Sequence, residues 1–264
     1  MENPTPFTLD HLLELLQDDG VLLVPAVTGY LLMGATPKAV EKIFEIKQRP
    51  AVKTIGFAAT PTIYKELCDS RFRTAMRMIS YPMGVIDYAN TAHPLINTLP
   101  KLAIKEGKIG CFFQASKHIV ELAEYCYQRD VLLMITSANP SGESIIKRIA
   151  DAPAQMLQRV DHIIEDDAYI AKMNRPFEAP HTTILDFTSQ RILRVGIYAN
   201  QVIHRAFQLG MLQQGTAGND QYSSKPPRSV MFLLSYKTSS FDKIHHYALA
   251  DWLVLDLEDS CCFK

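Results

Sequence analysis

The chain lacks paired cysteines. Cys68, Cys111, Cys126, Cys261 and Cys262 make five, show no CxxC spacing and leave an odd one over. That excludes a disulfide frame and a zinc site of the CxxC kind, and fits reduced thiols. It also lacks an excess of either charge. A formal net charge of -1 argues against a strongly basic nucleic-acid binder, while leaving room for a local basic face. No apolar run is long enough to span a bilayer, and Met1-Glu2-Asn3-Pro4 opens without the basic and apolar stretches of a secretion signal. A cytoplasmic location without membrane partners is expected. His93, His118 and His162 stand alone, without metal-ligand spacing, so no metal site is expected. No repeat period is present either.

What remains is a globular composition: 47% of the 264 residues are apolar and 21% charged, ample for a core. Leu9, Leu12, Leu13, Leu15 and Leu16 set a helical stripe that Gly20 stops, and Val21 to Pro25 follows as a buried strand. Pro37 to Lys47 reads as a second helix with Val40, Ile43, Phe44 and Ile46 inward. Thr54 to Ala59, Val85 to Ala89, Lys108 to Phe113, Val131 to Ile135 and His162 to Ile164 read as strands. Pro61 to Ser80, Ser116 to Gln128, Pro153 to Arg159 and Asn200 to Leu212 read as helices. Thr183 to Phe187 and Ile192 to Val195 form a hairpin across a polar turn. The expected fold is α/β, a twisted mixed open sheet with packed helices, over residues 8–212. Gln213 to Pro227 is a linker, and 228–264 restarts as a short β-α-β segment, expected to be marginal alone.

Three polar islands stand where apolar runs meet loops. Lys47 and Arg49 sit two apart at a helix end, where Pro50 favours an extended exit, and Lys53 follows. Converging cations suit phosphate oxygens, although cations at a helix C-terminus also answer the macrodipole. Ser137 and Asn139 follow an apolar strand, the end at which open α/β sheets bind ligands, and Ser141-Gly142 offers backbone N–H groups. Asn-Pro and Ser-Gly are equally turn dipeptides. Thr28 and Tyr30 alternate along an extended segment and suit a small polar substrate or core packing; Thr182 and Thr183 start a strand where they can bind phosphate or cap. His181 has no nucleophile to partner it, and Glu165-Asp166-Asp167 reads as a solvated loop.

The order of these pieces resembles the YrdC-like family. Pro25-x-x-Thr28-x-Tyr30, Lys47-x-Arg49-Pro50, and Ser137-Ala138-Asn139-Pro140-Ser141-Gly142 carry the likeness. Thr182-Thr183-Ile184-Leu185-Asp186 and Leu193-Arg194-Val195-Gly196 look like that family's closing elements. The resemblance implies an open sheet around a positively charged cavity. It implies threonylcarbamoyl-AMP synthesis from threonine, bicarbonate and ATP with Mg²⁺, a step toward the t6A modification of tRNA. Lys47 and Arg49 would be catalytic. Lys53, Ser137, Asn139, Thr182, Thr183 and Arg194 would hold the nucleotide, with Thr28 and Tyr30 near the amino acid. The family is also described as binding double-stranded RNA, which makes a non-catalytic RNA module the alternative, and an inactive remnant of a lyase fusion a further one. Four stretches depart from the family: its acid before Thr28 is Val27, its KPL after the KxR reads Lys53-Thr54-Ile55, Ile109 to Phe113 brings no arginine, and its PST serine region reads His181-Thr182-Thr183. The tail, Arg228 to Phe232 and Ala250 to Ser260, resembles the opening of the citrate lyase β-subunit/HpcH-HpaI aldolase barrel, without the later strands that would carry its site.

Overall fold

Val21 to Val24 and Tyr30 to Met33 are apolar at every position, the pattern of strands covered on both faces. In the computed structural model, which describes residues 8–50, 52–78, 80–173, 180–213, 230–234 and 252–256, both lie inside one sheet. The elements of the first part run α1 (Leu9–Gln17), β1 (Leu22–Ala26), β2 (Gly29–Gly34), α2 (Pro37–Ile46), β3 (Gly56–Ala59), α3 (Pro61–Leu67), β4 (Met83–Tyr88) and α4 (Pro94–Asn97). There follow β5 (Lys108–Phe113), α5 (Lys117–Tyr127), β6 (Met134–Ser137), α6 (Ala154–Leu157), β7 (His162–Ile163), α7 (Asp167–Met173), β8 (Ile184–Asp186), β9 (Arg191–Arg194) and α8 (Ala199–Gln208).

Nine strands form a single mixed sheet in the order β7-β1-β2-β6-β3-β5-β4-β8-β9. Three pairs are parallel (β1 with β7, β3 with β5, β4 with β8) and the other five antiparallel. The α/β mixed sheet with packed helices is the architecture the sequence implies. The helices start where hydroxyls stand: Thr8, Thr36, Thr60 and Ser116 each accept the backbone N–H three residues on, and Pro37 and Pro61 fill first-turn positions. The core includes Tyr30, Phe57, Tyr64, Leu32 and Met33. Cys68, Cys111 and Cys126 are buried free thiols within it.

Three stretches differ from the sequence reading. The stretch from Pro61 to Ser80, read as helical in one or two pieces, is two: the first stops at Leu67, because Cys68 turns extended and bridges Ala89, and the second is only a 3-10 turn over Ala75–Met78. The strand expected at Val131 to Ile135 runs instead from Met134 to Ser137, so Ser137 is a ladder residue opposite Leu31 on β2. Of Glu165-Asp166-Asp167, read as a solvated loop, only Glu165 is one: Asp167 starts α7, and Asp166 before it caps the helix, its Oδ1 accepting the Tyr169 N–H at 2.9 Å.

The chain divides into two compact units, 1–221 and 222–264. In the second, β10 (Val230–Leu234) and β11 (Trp252–Asp256) pair in parallel from Val230↔Trp252 to Leu234↔Asp256. Parallel neighbours need a crossover between them; the helix expected there lies outside the described residues. Among the described residues no helix is long and apolar enough to cross a membrane.

Candidate active site

α2 sets the first island. Its stripe of Ala39, Val40, Ile43, Phe44 and Ile46 is buried, and the helix ends at Lys47 in a Schellman turn. Gln48 takes a left-handed φ of 48°, its N–H returns to Glu45 O at 3.0 Å, and the Arg49 N–H reaches Phe44 O at 2.8 Å. This turn sends Lys47 inward and lays the Arg49 guanidinium 5.5 Å over the Phe44 ring. Arg49 Nη2 donates to Thr54 O at 2.7 Å, while its buried Nε finds no hydrogen-bond partner among the described residues. Burial lowers the pKa of Arg49.

Lys47 is 1% exposed. Its ammonium donates to Asn139 O at 2.7 Å, to Asn139 Oδ1 at 3.2 Å and to Ser137 O at close range. The tie is reciprocal, since the Ser141 N–H donates to Lys47 O at 3.0 Å. Asn139 is committed as well: its Nδ2 donates to Pro140 O at 3.0 Å and to Glu143 O at 2.6 Å. Burial, then repulsion from Arg49 and Lys53, pushes the Lys47 ammonium down to about 7. Its charged form in the fold therefore leans on those oxygen acceptors.

The islands meet around a cavity of about 520 Å³, within the range of small-molecule sites. Its floor crosses the sheet through Ile135, Gly56, Gly110, Phe112, Ile86 and Ile184. Lys47, Arg49, Lys53, Ser137 and Asn139 line it on the β6 side, Thr182 and Arg194 on the β8–β9 side, and Thr28 from the β1–β2 turn. Lys53 Nζ donates to Ser141 Oγ at 3.3 Å, and Arg194 Nε to Thr182 O at 2.9 Å. Burial lowers the pKa of Arg194 too. Against these four cations, Glu143 is the one carboxylate among the described lining residues. The cavity thus favours a polyanion.

Two of the residues singled out from sequence are placed elsewhere. Tyr30 is 0% exposed; its hydroxyl donates to Asp167 Oδ1 at 2.7 Å and accepts from the Asp166 N–H at 3.0 Å. Burial and the Asp167 carboxylate raise its pKa. Thr183 is also 0% exposed, its Oγ1 donating to Ile197 O at 2.9 Å and accepting from the Gly196 N–H at 3.0 Å. Both hold the frame of the cavity rather than its lining. Conversely, Phe112, Glu143 and His181 line the cavity without having been singled out as site residues. For Phe112 a signal was present: a large ring in register with glycine on the neighbouring strand. Among the described residues no group of three His, Cys, Asp or Glu side chains could hold a metal.

The solved structures similar to this chain share its fold at low identity. A hypothetical protein, smu.1377c from Streptococcus mutans UA159, matches with a TM-score of 0.62 at 14% identity, over 75% of this chain and 90% of its own. Sua5 of P. abyssi, solved with L-threonine, matches at 0.57 and 15%, over 94% of this chain and 79% of its own. E. coli YciO matches at 0.53 and 19%, over 74% and 92%. No curated protein matches in sequence. The family model Sua5_yciO_yrdC, described as "Telomere recombination", matches residues 14–196, which hold every island of the cavity. By that match, over more than half its length, the chain belongs to the Sua5/YciO/YrdC family.

Proposed function

We propose that this chain is an ATP-dependent enzyme that forms a carbamoyl-adenylate, with threonylcarbamoyl-AMP from threonine, bicarbonate and ATP as the product its family resemblance implies. The observation that carries the reading is the convergence of Arg49, Lys53, Ser137, Thr182 and Arg194, from three distant segments, on one cavity. The relative solved with L-threonine supports an amino acid as the second substrate.

The chemistry asks mainly for position and charge. The amine of the acceptor takes up carbon dioxide from bicarbonate to give a carbamate. A carbamate oxygen then attacks the α-phosphorus of ATP, and the bond to the β-phosphate oxygen breaks with release of pyrophosphate. Arg49 and Lys53 neutralise the departing charge, which otherwise dominates the barrier. Ser137 Oγ and the Gly142 backbone N–H orient phosphate oxygens, and Arg194 with Thr182 holds the opposite end of the nucleotide. Lys47 acts one step back, holding the Ser137–Asn139 strand end in shape through its hydrogen bonds. Mg²⁺ would arrive on the phosphates, which supply most of its oxygen ligands, with Glu143 the carboxylate in reach of the cavity.

The resemblance of residues 228–264 to the start of a lyase barrel rests on sequence alone, and the comparisons lend it no support. Calorimetric titration with ATP and a pyrophosphate-release assay with bicarbonate and an amino acid test the proposal. Micromolar to low-millimolar ATP binding that Arg49→Ala weakens at least about tenfold is expected. Absence of ATP binding at millimolar concentration would overturn it.

A further inference from the structure

β5 runs between β3 and β4, and Phe112 projects from it into the cavity, partly exposed. Glycines surround it: Gly84 directly across on β4, Gly110 two residues back on β5, and Gly56 beside Gly110 on β3. A Cβ placed on Gly56 would come 2.4 Å from Phe112 Cε2 and 2.8 Å from Cδ2. One on Gly84 would come 2.8 Å from Cε1 and 3.1 Å from Cδ1, and one on Gly110 4.0 Å from Cε2. Opposite edges of the ring therefore rest over opposite strands, and the ring leans back along β5 toward Gly110. Three strand positions do without side chains, each at a cost to its strand, and one ring lies low against the sheet. So placed, it turns a face to the cavity rather than an edge.

Phe113, the other phenyl group among the described lining residues, is 3% exposed and packs edge to face on Tyr64 at 5.5 Å. The open phenyl face is therefore that of Phe112. Its Gly84 edge borders the β8–β9 wall. The Gly84 N–H donates to Thr183 O at 2.7 Å, a Cβ there would meet Ile184 Cγ1 at 3.1 Å, and Ile184 pairs with Arg194. On the other side β3 lies one strand spacing away and β6, with Ser137, two, or about 10 Å. The ring thus stands between the Arg194–Thr182 wall and the segment that faces the phosphates.

Resting on the ATP-dependent reading above, we propose that Phe112 is the platform on which the nucleobase of ATP stacks. Of the reactants in that reading ATP alone carries an aromatic ring; threonine and bicarbonate have none. With the base over Phe112, ribose and phosphates extend across β3 toward Ser137 and Arg49. Arg194 and Thr182 then meet the base at its far edge, and Ile86, Ile135 and Ile184 give it an apolar border. A base stacked on an aromatic side chain loses affinity when the ring is removed, whatever its hydrogen bonds.

The test measures binding of ATP and of inorganic tripolyphosphate to the full chain by calorimetry, since only ATP carries a base. Phe112→Leu keeps apolar bulk and removes the ring; it should weaken ATP about 10-fold or more and leave tripolyphosphate within about twofold. Phe112→Tyr keeps the ring and should retain the parent affinity for both. Nuclear Overhauser effects from adenine H2 and H8 to phenylalanine ring protons of the unaltered chain locate the contact directly, and they decide the matter if the leucine variant does not fold. Equal weakening of both ligands by Phe112→Leu, no weakening of either, or adenine contacts to other side chains only, overturns the inference and leaves the adenylate-forming reading standing. No ATP binding by the unaltered chain overturns both.

Discussion

Lys47 shows how a cation can be necessary without facing a ligand. Its three protons are directed at Ser137 O, Asn139 O and Asn139 Oδ1, so removing it leaves buried oxygens without donors. The ammonium sits at about 7 in the fold against an ordinary 10.5, so between those values the unfolded chain binds more protons than the folded one. Lys47 thus makes stability rise as pH increases from about 7 toward 10.5, the reverse of a lysine stabilised by a salt bridge. Urea unfolding of Lys47→Met should show a flatter rise than the parent across that window; an identical slope would dissociate Lys47 from the effect. Nucleotide affinity should move the other way, weakening above pH 7 as the cavity loses positive charge. Asn139 is the partner residue. Asn139→Ala removes one acceptor from Lys47 and two donors from Pro140 O and Glu143 O, and should lower unfolding free energy by about 1–3 kcal/mol.

At the scale of elements, α7 is held to the sheet through one carboxylate and one phenol. Asp167 Oδ1 accepts from Tyr30 OH at 2.7 Å and from the Ile149 N–H at 3.1 Å, tying β2, α7 and the segment before α6 together. Tyr30→Phe leaves the Asp166 N–H and half of the Asp167 contact without a partner, and should cost about 1–3 kcal/mol. Faster amide exchange at Tyr169 and Ile170 would locate the loss; unchanged exchange there with full stability would show that α7 is held by packing alone. These elements also mark how far the sequence could be read. Capped helices and apolar strands announce themselves: Thr36-Pro37 opens α2, and Lys108 to Phe113 is β5 residue for residue. β2 does not, because its apolar run opens directly out of Thr28-Gly29-Tyr30, a polar stretch that reads as a ligand segment. α7 does not, because its acidic start looks solvated until a distant tyrosine supplies the donor. The convergence of Lys47 with Ser137 and Asn139 could be anticipated from motif order. That the lysine donates into the loop rather than toward the cavity depends on the Schellman turn at Gln48, a left-handed residue that no glycine signals.

Across the whole molecule, the site exists because strands distant in sequence become neighbours. β6 lies between β2 and β3, and β4 passes between β5 and β8, so residues from 28 to 194 border one cavity. No local pattern encodes those pairings. The arrangement puts cations on both sides of the sheet's apolar floor in a chain whose net charge is only -1. Binding of ATP should then be driven by local field and be sensitive to salt, since screening reaches about 8 Å at physiological ionic strength. We expect the Kd for ATP to rise several-fold from 50 to 300 mM salt, with a smaller rise for Arg194→Gln. Calorimetry at the two concentrations checks this, and a salt-independent Kd would mean that the four cations are already neutralised within the protein.

The ring of Phe112 over Gly56 and Gly84 also constrains the paths by which such a sequence can change. While the phenyl group is present, alanine at either glycine meets ring carbons at or below 2.8 Å. Once position 112 is small, Gly84 keeps only the flexible Ile184 side chain at 3.1 Å and can vary, whereas Gly56 still faces Gly110 O at 2.9 Å. Gly84→Ala and Phe112→Ala should therefore each destabilise alone and partly rescue one another when combined, a positive coupling that a double-mutant cycle reads directly. Substitutions at these three sites have an order in which they are tolerated. The aromatic floor, once acquired, locks its neighbours until it is given up.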